Sequence, residues 1–288
     1  ENASRLNVRL VFAHQTLNTI ICSDASSTGA GAIICNNVHT AHKLWSPAES
    51  GQSSTWRELE AIRFALLSFL PFIRACGLNL LTDSQCAAKI IESGSMKPHL
   101  NSLAVDIFNI CLCNSIRLNV QWIPRAINDQ ADFVSRIIDT DDWSLRDDFF
   151  TLINSSWGPL TIDCFATFYN SKLPRFYSRF WNPHSSGVDA FAHNWKGENV
   201  LLVPPVVLIP STLKHMHSCR SKGVLVFPWW PSQPFWPLLW TYYCAYIKGF
   251  CTEVGYRALE HGRNKNSLLG SHKFNGLVAA AYLDFEMA

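Results

Sequence analysis

Residues 80–87 read LLTDSQCA, and the role given to Asp83 decides the fold. Leu78, Leu80 and Leu81 form an apolar run of the kind a buried strand carries. A segment with helical spacing, SQCAAKIIESG (84–94), follows at once. A carboxylate at the end of a buried strand costs free energy unless it is paired or holds a metal. Taken alone, Asp83 reads equally well as the N-cap of the helix after it.

Upstream, LNTIICSDAS (17–26) reads as a strand ending in Asp24. GAGAIICNN (29–37) reads as a second strand closed by the turn pair Asn36-Asn37, and VHTAHKLWS (38–46) as a third. From Ser54 to about Cys76 the apolar residues Leu59, Ile62, Leu66, Phe69 and Ile73 recur at helical spacing, with Ser53 or Ser54 as N-cap. Glu58 lies one turn before Ile62, near the buried face. Downstream, a helix is expected from His99 to about Ser115, a fifth strand at LNVQWIP (118–124), and a last helix in INDQADFVSRII (127–138) with Asn128 as its cap. The order β-β-β-α-β-α-α-β-α predicts an α/β domain. Three antiparallel strands are extended by parallel ones into a mixed five-stranded sheet with flanking helices.

This order gives four acids meaningful positions. Asp24 ends the first strand, Glu58 opens the long helix, Asp83 ends the fourth strand, and Asp132 lies in the first turns of the last helix. If the first and fourth strands are neighbours, Asp24 and Asp83 stand side by side and two helices supply the others. Four clustered carboxylates cannot all stay ionised without a cation. Mg²⁺ or Mn²⁺ prefers hard oxygen ligands of this kind. Two such ions about 4 Å apart stabilise both the attacking and the leaving oxygen of an in-line phosphodiester displacement. Each acid alone has a plainer role: turn residue, solvated helix acid, helix cap or helix-dipole partner. The set in this order points to a metal site.

The stretches that carry these acids are SDASSTGAGAII (23–34), STWRELEAI (54–62), LLTDSQCA (80–87) and INDQADFVSR (127–136). In order and spacing they resemble the four catalytic motifs of type 1 ribonuclease H, over about residues 16–138. The resemblance implies an RNase H fold and hydrolysis of the RNA strand of an RNA–DNA hybrid. It implies two Mg²⁺ or Mn²⁺ ions held by Asp24, Glu58, Asp83 and Asp132. It also implies backbone contacts to the hybrid from Ser26, Gly29, Gly31, Arg125 and Asn128, with selectivity resting on 2′-hydroxyls and the minor groove. The loop after the fifth strand departs from the family. WIPRAIND carries Arg125 where many members have a mobile His. Arginine cannot shuttle a proton at neutral pH but can bind phosphate, so slower turnover or altered product release is expected. The ADFVSR ending (131–136) resembles the retroelement type more than the cellular type.

Composition shifts after this region. DTDDWSLRDD (139–148) is acidic and polar and reads as a linker or the start of a new helix, and Trp and Pro become frequent beyond it. The expected organisation is an RNase H-like domain at 16–140, a linker at 141–154, a second, smaller α/β domain at 155–245, and an unassigned segment at 246–288. PLTIDCFATFYNSKLPRFYSRFWNP (159–183) and GVDAFAHNW (187–195) resemble the segment that follows RNase H in DIRS-like retrotransposon polyproteins. Such elements often carry a Dam-like adenine methyltransferase domain. That family's D/N-P-P-aromatic motif corresponds to NVLLVPPVVLI (199–209), where Val203 stands for the acid or amide and Val206 for the aromatic, while Pro204 and Pro205 remain. Valine offers neither hydrogen-bond acceptor nor stacking face. The resemblance therefore implies a degenerate methyltransferase-like domain in which Asp163 and Asn170 keep the family's positions, with no S-adenosylmethionine cofactor and no methyl transfer. An upstream reverse transcriptase of the same polyprotein is the implied partner. The competing expectation is a non-catalytic nucleic-acid-binding relic of such an element.

The totals exclude several classes. The 288 residues are 48% hydrophobic and 16% charged, which excludes a disordered chain. A net charge of +2 means that nucleic acid must be held by a local patch rather than by bulk charge. The ten cysteines form no C-x-x-C pair and sit mostly in apolar runs (Cys22, Cys35, Cys76 and Cys86). They read as reduced, buried thiols of a cytoplasmic or nuclear protein. The richest apolar stretch, Val224–Phe250, is broken by Pro228, Pro231, Pro234 and Pro237, the wrong pattern for a membrane span.

Overall fold

The computed structural model describes residues 17–35, 39–271 and 274–286. The Asn36-Asn37 turn falls outside them. The meander is β1 (Leu17–Ala25), β2 (Gly29–Ile34) and β3 (His39–Leu44). It is followed by α1 (Pro47–Ser50), α2 (Ser54–Ser68), α3 (Leu70–Ile73), β4 (Gly77–Thr82), α4 (Gln85–Ser93), α5 (Pro98–Cys113), β5 (Arg117–Trp122) and α6 (Asp129–Ser135). The sheet order is β3-β2-β1-β4-β5. The β3–β2 and β2–β1 pairs are antiparallel, whereas β1–β4 and β4–β5 are parallel.

Local chemistry sets these boundaries. Ser53 caps α2 by accepting from the Trp56 N–H. The single helix expected to run to Cys76 divides at Phe69, because Pro71 brings no backbone N–H and opens the short α3 instead. Gly94, at φ +75°, ends α4 in a conformation that glycine adopts without strain.

The two faces of the sheet are used differently. Ile21, Ala30, Ala32, Ile34, Leu78 and Leu80 pack against Leu59, Ile62 and Leu66 of α2 and Leu103 and Ile107 of α5. Full burial of each such Leu or Ile contributes about 1.5–3 kcal/mol. On the opposite face, Gly29 and Gly31 alternate with these alanines and let α6 lie directly on β2. A Cβ on Gly31 would fall 2.4 Å from the Ser135 backbone nitrogen.

The remaining residues build a second five-stranded sheet and two separate two-stranded ones, one joining the sixth and thirteenth strands and one the eighth and ninth. Their elements begin with β6 (Trp143–Leu145), α7 (Asp147–Trp157), β7 (Ile162–Asp163), β8 (Tyr177–Ser178), β9 (Gly187–Val188), β10 (Asn199–Leu202) and α8 (Ile209–Cys219). They continue with β11 (Lys222–Pro228), α9 (Phe235–Pro237), β12 (Ile247–Val254), α10 (Gly255–Ala258), β13 (Leu259–His261) and β14 (Leu277–Asp284). The order is β12-β14-β11-β10-β7, with β7, β10 and β11 parallel and β14 antiparallel to β11 and β12.

Two expectations change here. The segment 246–288, left unassigned, supplies β12 and β14, and the fully buried Val278–Ala281 run lies on β14 between β12 and the central β11. Residues 141–154 are not a free linker: β6 pairs with β13, and Phe149 and Ile153 of α7 are buried against the second sheet. The Trp/Pro stretch packs within its own sheet, with Trp229 against Trp236 and Phe250 at 4.7 and 5.5 Å between ring centroids.

The two sheets are tied by polar and aromatic contacts. The Trp181 N–H donates to the Thr40 carbonyl at 2.9 Å, and its indole meets Phe72 edge-on. Arg263 donates to the Leu44 carbonyl at 2.6 Å and to Glu49 at 3.0 Å. Glu49 also accepts from the buried Lys43, whose other partner is Glu60 at 2.6 Å. All ten cysteines are free. Cys35 and Cys86 are exposed rather than buried, because Cys35 lies just past the end of β2 and Cys86 on the outer face of α4.

Candidate functional site

The β1–β4 register pairs Ser23 with Thr82, so Asp24 and Asp83 come side by side where the two parallel strands end. Glu58 projects from the second turn of α2. Carboxylate oxygens of Asp24, Glu58 and Asp83 all lie within 4.8 Å of one another. The helix after Asp83 is capped by Ser84, whose hydroxyl accepts from the Ala87 N–H, so Asp83 is free of the capping role. The Asp83 carbonyl accepts from the Trp122 indole at 3.0 Å, which ties the ends of β4 and β5 together.

Burial and mutual repulsion dominate the electrostatics of Asp24 and Glu58, with Arg125 and Arg57 opposing them only in part. Asp24 is buried, and its Oδ2 accepts from the Ser135 hydroxyl at 2.6 Å. Burial raises its pKa above the ordinary value, with further raising by Asp83 and Asp132, against the lowering effect of the Ser135 bond. Glu58 is pushed up to about 9, first by burial and then by Asp24 and Asp83. Its Oε2 is buried and has no hydrogen-bond partner. A buried carboxylate oxygen without a partner costs free energy. A divalent cation offsets that cost and the mutual repulsion together, and three hard oxygen donors suit Mg²⁺ or Mn²⁺. The donor set fits such an ion.

Asp132 is not one of the three convergent carboxylates. Arg125 and Arg136 both bind it, at 2.7 and 2.8 Å, and hold its pKa down at about 2, with the Arg136 hydrogen bond as the main cause. The expected quartet is therefore a trio with a neighbouring, separately paired acid.

Four of the five residues expected to touch a hybrid do not face solvent. Ser26 is buried and donates to the Ser135 carbonyl at 2.7 Å. Asn128 is 1% exposed; its side chain makes no cap hydrogen bond, and its amide instead donates to the Ser23 carbonyl at 3.0 Å. Gly29 and Gly31 are covered by α6. The small and polar residues of these motifs dock α6 onto β1 and β2, which positions Asp24. Arg125, with its side chain 66% exposed, is the one of the five open to a ligand. Ser135 and Arg136 escaped the expected set. Their signal was present, since positions 135 and 136 fall three and four residues after Asp132 and share its helix face.

The second region holds a cavity of about 560 Å³ at the carboxyl ends of β7 and β10, lined among others by Phe165, Asn170, Phe191, Val203 and Pro205. Asp163 ends β7 just behind it. It is fully buried, its Oδ2 accepts from the Lys172 N–H at 3.1 Å, and its Oδ1 has no partner. Burial pushes its pKa up to about 6. Asn170 turns its amide oxygen inward to the Thr167 N–H and hydroxyl. Pro204 is buried, and Val203 presents only methyl groups to the cavity.

The mixed sheet with its flanking helices is an RNase H-like fold. No family model matches the sequence, and no curated protein is significantly similar to it. Among solved structures, RNase H1 of the halophilic archaeon Halobacterium salinarum is similar over 40% of this chain and 92% of its own, with 18% identity and a TM-score of 0.36. LC11-RNase H1, isolated from compost and solved in complex with an RNA/DNA hybrid, is similar over 41% of this chain and 93% of its own, with 20% identity and a TM-score of 0.36. The N-terminal RNase H domain of a Mycobacterium tuberculosis protein, fused to maltose-binding protein, gives 17% identity and 0.35, over 41% of this chain and 91% of that one. No helix among the described residues is long and apolar enough to cross a membrane.

Proposed function

We propose that the chain is a divalent-metal-dependent nuclease of the RNase H type, cutting the RNA strand of RNA–DNA hybrids. The observation that carries this reading is the convergence of Asp24, Glu58 and Asp83, with one Glu58 oxygen buried and unpartnered. The substrate class rests on the four-motif resemblance. Asp24, Glu58 and Asp83 would hold the ions, with Asp132 adjoining. Bound Mg²⁺ or Mn²⁺ supplies an activated water and charge stabilisation at the leaving 3′ oxygen. Ser135 fixes the orientation of Asp24 through its hydroxyl, and Trp122 fixes the strand end that carries Asp83. Arg125 offers its guanidinium to a backbone phosphate. With Arg125 in place of a His in this loop, the guanidinium itself relays no proton at neutral pH.

The second sheet is read as the degenerate methyltransferase-like partner of a DIRS-like retroelement polyprotein, with a reverse transcriptase upstream. Val203 supplies no side-chain acceptor at the position where that family holds the adenine amino group.

The test is cleavage of a hybrid labelled on its RNA strand, with Mg²⁺ and with Mn²⁺, comparing the chain with Asp83→Asn. Metal-dependent cutting that the substitution abolishes supports the reading; equal inertness of both proteins under both metals overturns it. The pairing of Asp132 with two arginines, outside the trio, favours one second reading, a non-catalytic hybrid binder. That reading requires hybrid binding that survives Asp83→Asn, with no cutting.

A further inference from the structure

Asp132, the acid expected with the trio, is fully engaged, and its partners are exposed cations. Asp132 Oδ1 accepts from Arg125 Nη2 at 2.7 Å and from Arg136 Nη2 at 2.8 Å, and Oδ2 accepts from Arg136 Nε at 2.8 Å. Arg136 thus makes a two-bond fork from one turn further along α6, and Arg125 closes over it from the preceding loop. Asp132 nonetheless stands beside the cluster, since the Ser135 hydroxyl lies 2.6 Å from Asp24 Oδ2 and 2.9 Å from the Asp132 carbonyl oxygen. The arginine side chains are 66% and 52% exposed, while the Asp132 side chain is 23% exposed. A guanidinium fork that fits a carboxylate also fits a phosphate. A two-bond fork with a second cation is the kind of ion pair that holds best, so the competitor must be an anion that offers the arginines comparable bonds, as a phosphate does.

We propose that Arg125 and Arg136 form a latch that withholds Asp132 from the acid cluster until nucleic-acid phosphates take the guanidinium groups, which rests on the cluster being a divalent-metal site. Once released, Asp132 adds a fourth oxygen donor beside Asp24. Hybrid binding and metal binding then strengthen each other, and by linkage the coupling is reciprocal. The latch gives Arg125 and Arg136 a role in ordering events: phosphate first, complete ligand set second.

The test reads Mn²⁺ affinity of the full chain by calorimetry, without nucleic acid. In the wild-type background Asp132→Asn should change the affinity less than about twofold, because the carboxylate is engaged elsewhere. The double variant Arg125→Gln/Arg136→Gln should bind Mn²⁺ several-fold more tightly, and adding Asp132→Asn to it should remove that gain. A gain that survives Asp132→Asn is mere loss of cation repulsion and overturns the latch. So does an unchanged affinity in the double variant with circular dichroism and Tm intact, or a loss in Asp132→Asn as large as in Asp83→Asn. If Asp83→Asn itself leaves Mn²⁺ affinity unchanged, the metal-site reading falls and the latch with it; if Asp83→Asn alone abolishes binding, only the latch is at stake. In a second readout, anisotropy of a labelled hybrid in EDTA, each arginine removed should lower the slope of log K against log salt by about 1. An unchanged slope means that the arginines do not meet phosphate.

Discussion

The ends of β1 and β4 in the first sheet and of β7 and β10 in the second are the same kind of place. Both are crevices at the carboxyl ends of parallel strands, where ligands of α/β sheets commonly bind. Both hold a buried aspartate, Asp24 in one and Asp163 in the other. What surrounds each differs. At the first, three carboxylates converge and one oxygen of Glu58 has no partner. At the second, Asp163 is braced by a backbone N–H, and Asp139, Asp141, Asp142 and Asp189 line the neighbouring cavity beside the methyl groups of Val203, but no three of these carboxylates converge. Strand ends supply a location; convergence of like charges supplies a demand for a cation. Among the described residues, only the first crevice makes that demand.

Substitutions at the two aspartate sites should therefore separate sharply. Asp83→Asn and Glu58→Gln are expected to lower metal-dependent hybrid cleavage by roughly a thousandfold or more, since several kcal/mol of charge stabilisation go with the ions. Asp163→Asn should leave cleavage within about twofold, measured by the same gel assay.

The pH dependence of stability should differ in its response to metal. A carboxyl whose folded pKa is raised binds its proton more tightly in the folded state, so stability is lost as pH rises through that window. For Glu58 the window runs from the ordinary 4.5 up to about 9. Saturating Mg²⁺ should abolish that loss, because the bound ion favours the ionised form, and metal affinity should climb over the same range. Calorimetry in buffers of different ionisation enthalpy should show proton release on metal binding at pH 7. For Asp163 the window is 3.8 to about 6, the loss is on the order of 3 kcal/mol, and metal should not alter it. Urea titrations with and without Mg²⁺ separate the two windows, and a metal-sensitive Asp163 window would break the comparison.

The smallest effect concerns the seat of α6. Gly31→Ala must move the backbone of α6 at Ser135 and should cost about 1–3 kcal/mol in urea unfolding. Gly51→Ala, whose Cβ meets nothing closer than 3.7 Å, should stay within about 0.5 kcal/mol.

The first sheet was legible because period-two and helical patterns alternate cleanly in residues 17–135, and turn residues separate them. The trio was legible for the same reason: Asp24, Glu58 and Asp83 stand at element ends, where topology alone brings them together. The second sheet was harder to read. Its two-residue strands β7, β8 and β9 are too short to show a period, and β12 and β14 pair across long separations in sequence. Ser26, Gly29, Gly31 and Asn128 looked like ligand contacts because small and polar residues near a site suit either role. The packing of α6 gives them to the fold instead.

By itself the sequence determined the main element order of the first sheet and the acids at its element ends, because these follow from local periodicity; that β1 and β4 are neighbours came from the structure. Tertiary structure alone decided which side chains face one another. It left Glu58 Oε2 unpartnered, paired Asp132 with Arg125 and Arg136 instead of the trio, and drew Ile247–Val254 and Leu277–Asp284 into the second sheet. Those outcomes depend on distances between residues far apart in the chain, and no pattern confined to neighbouring positions encodes them.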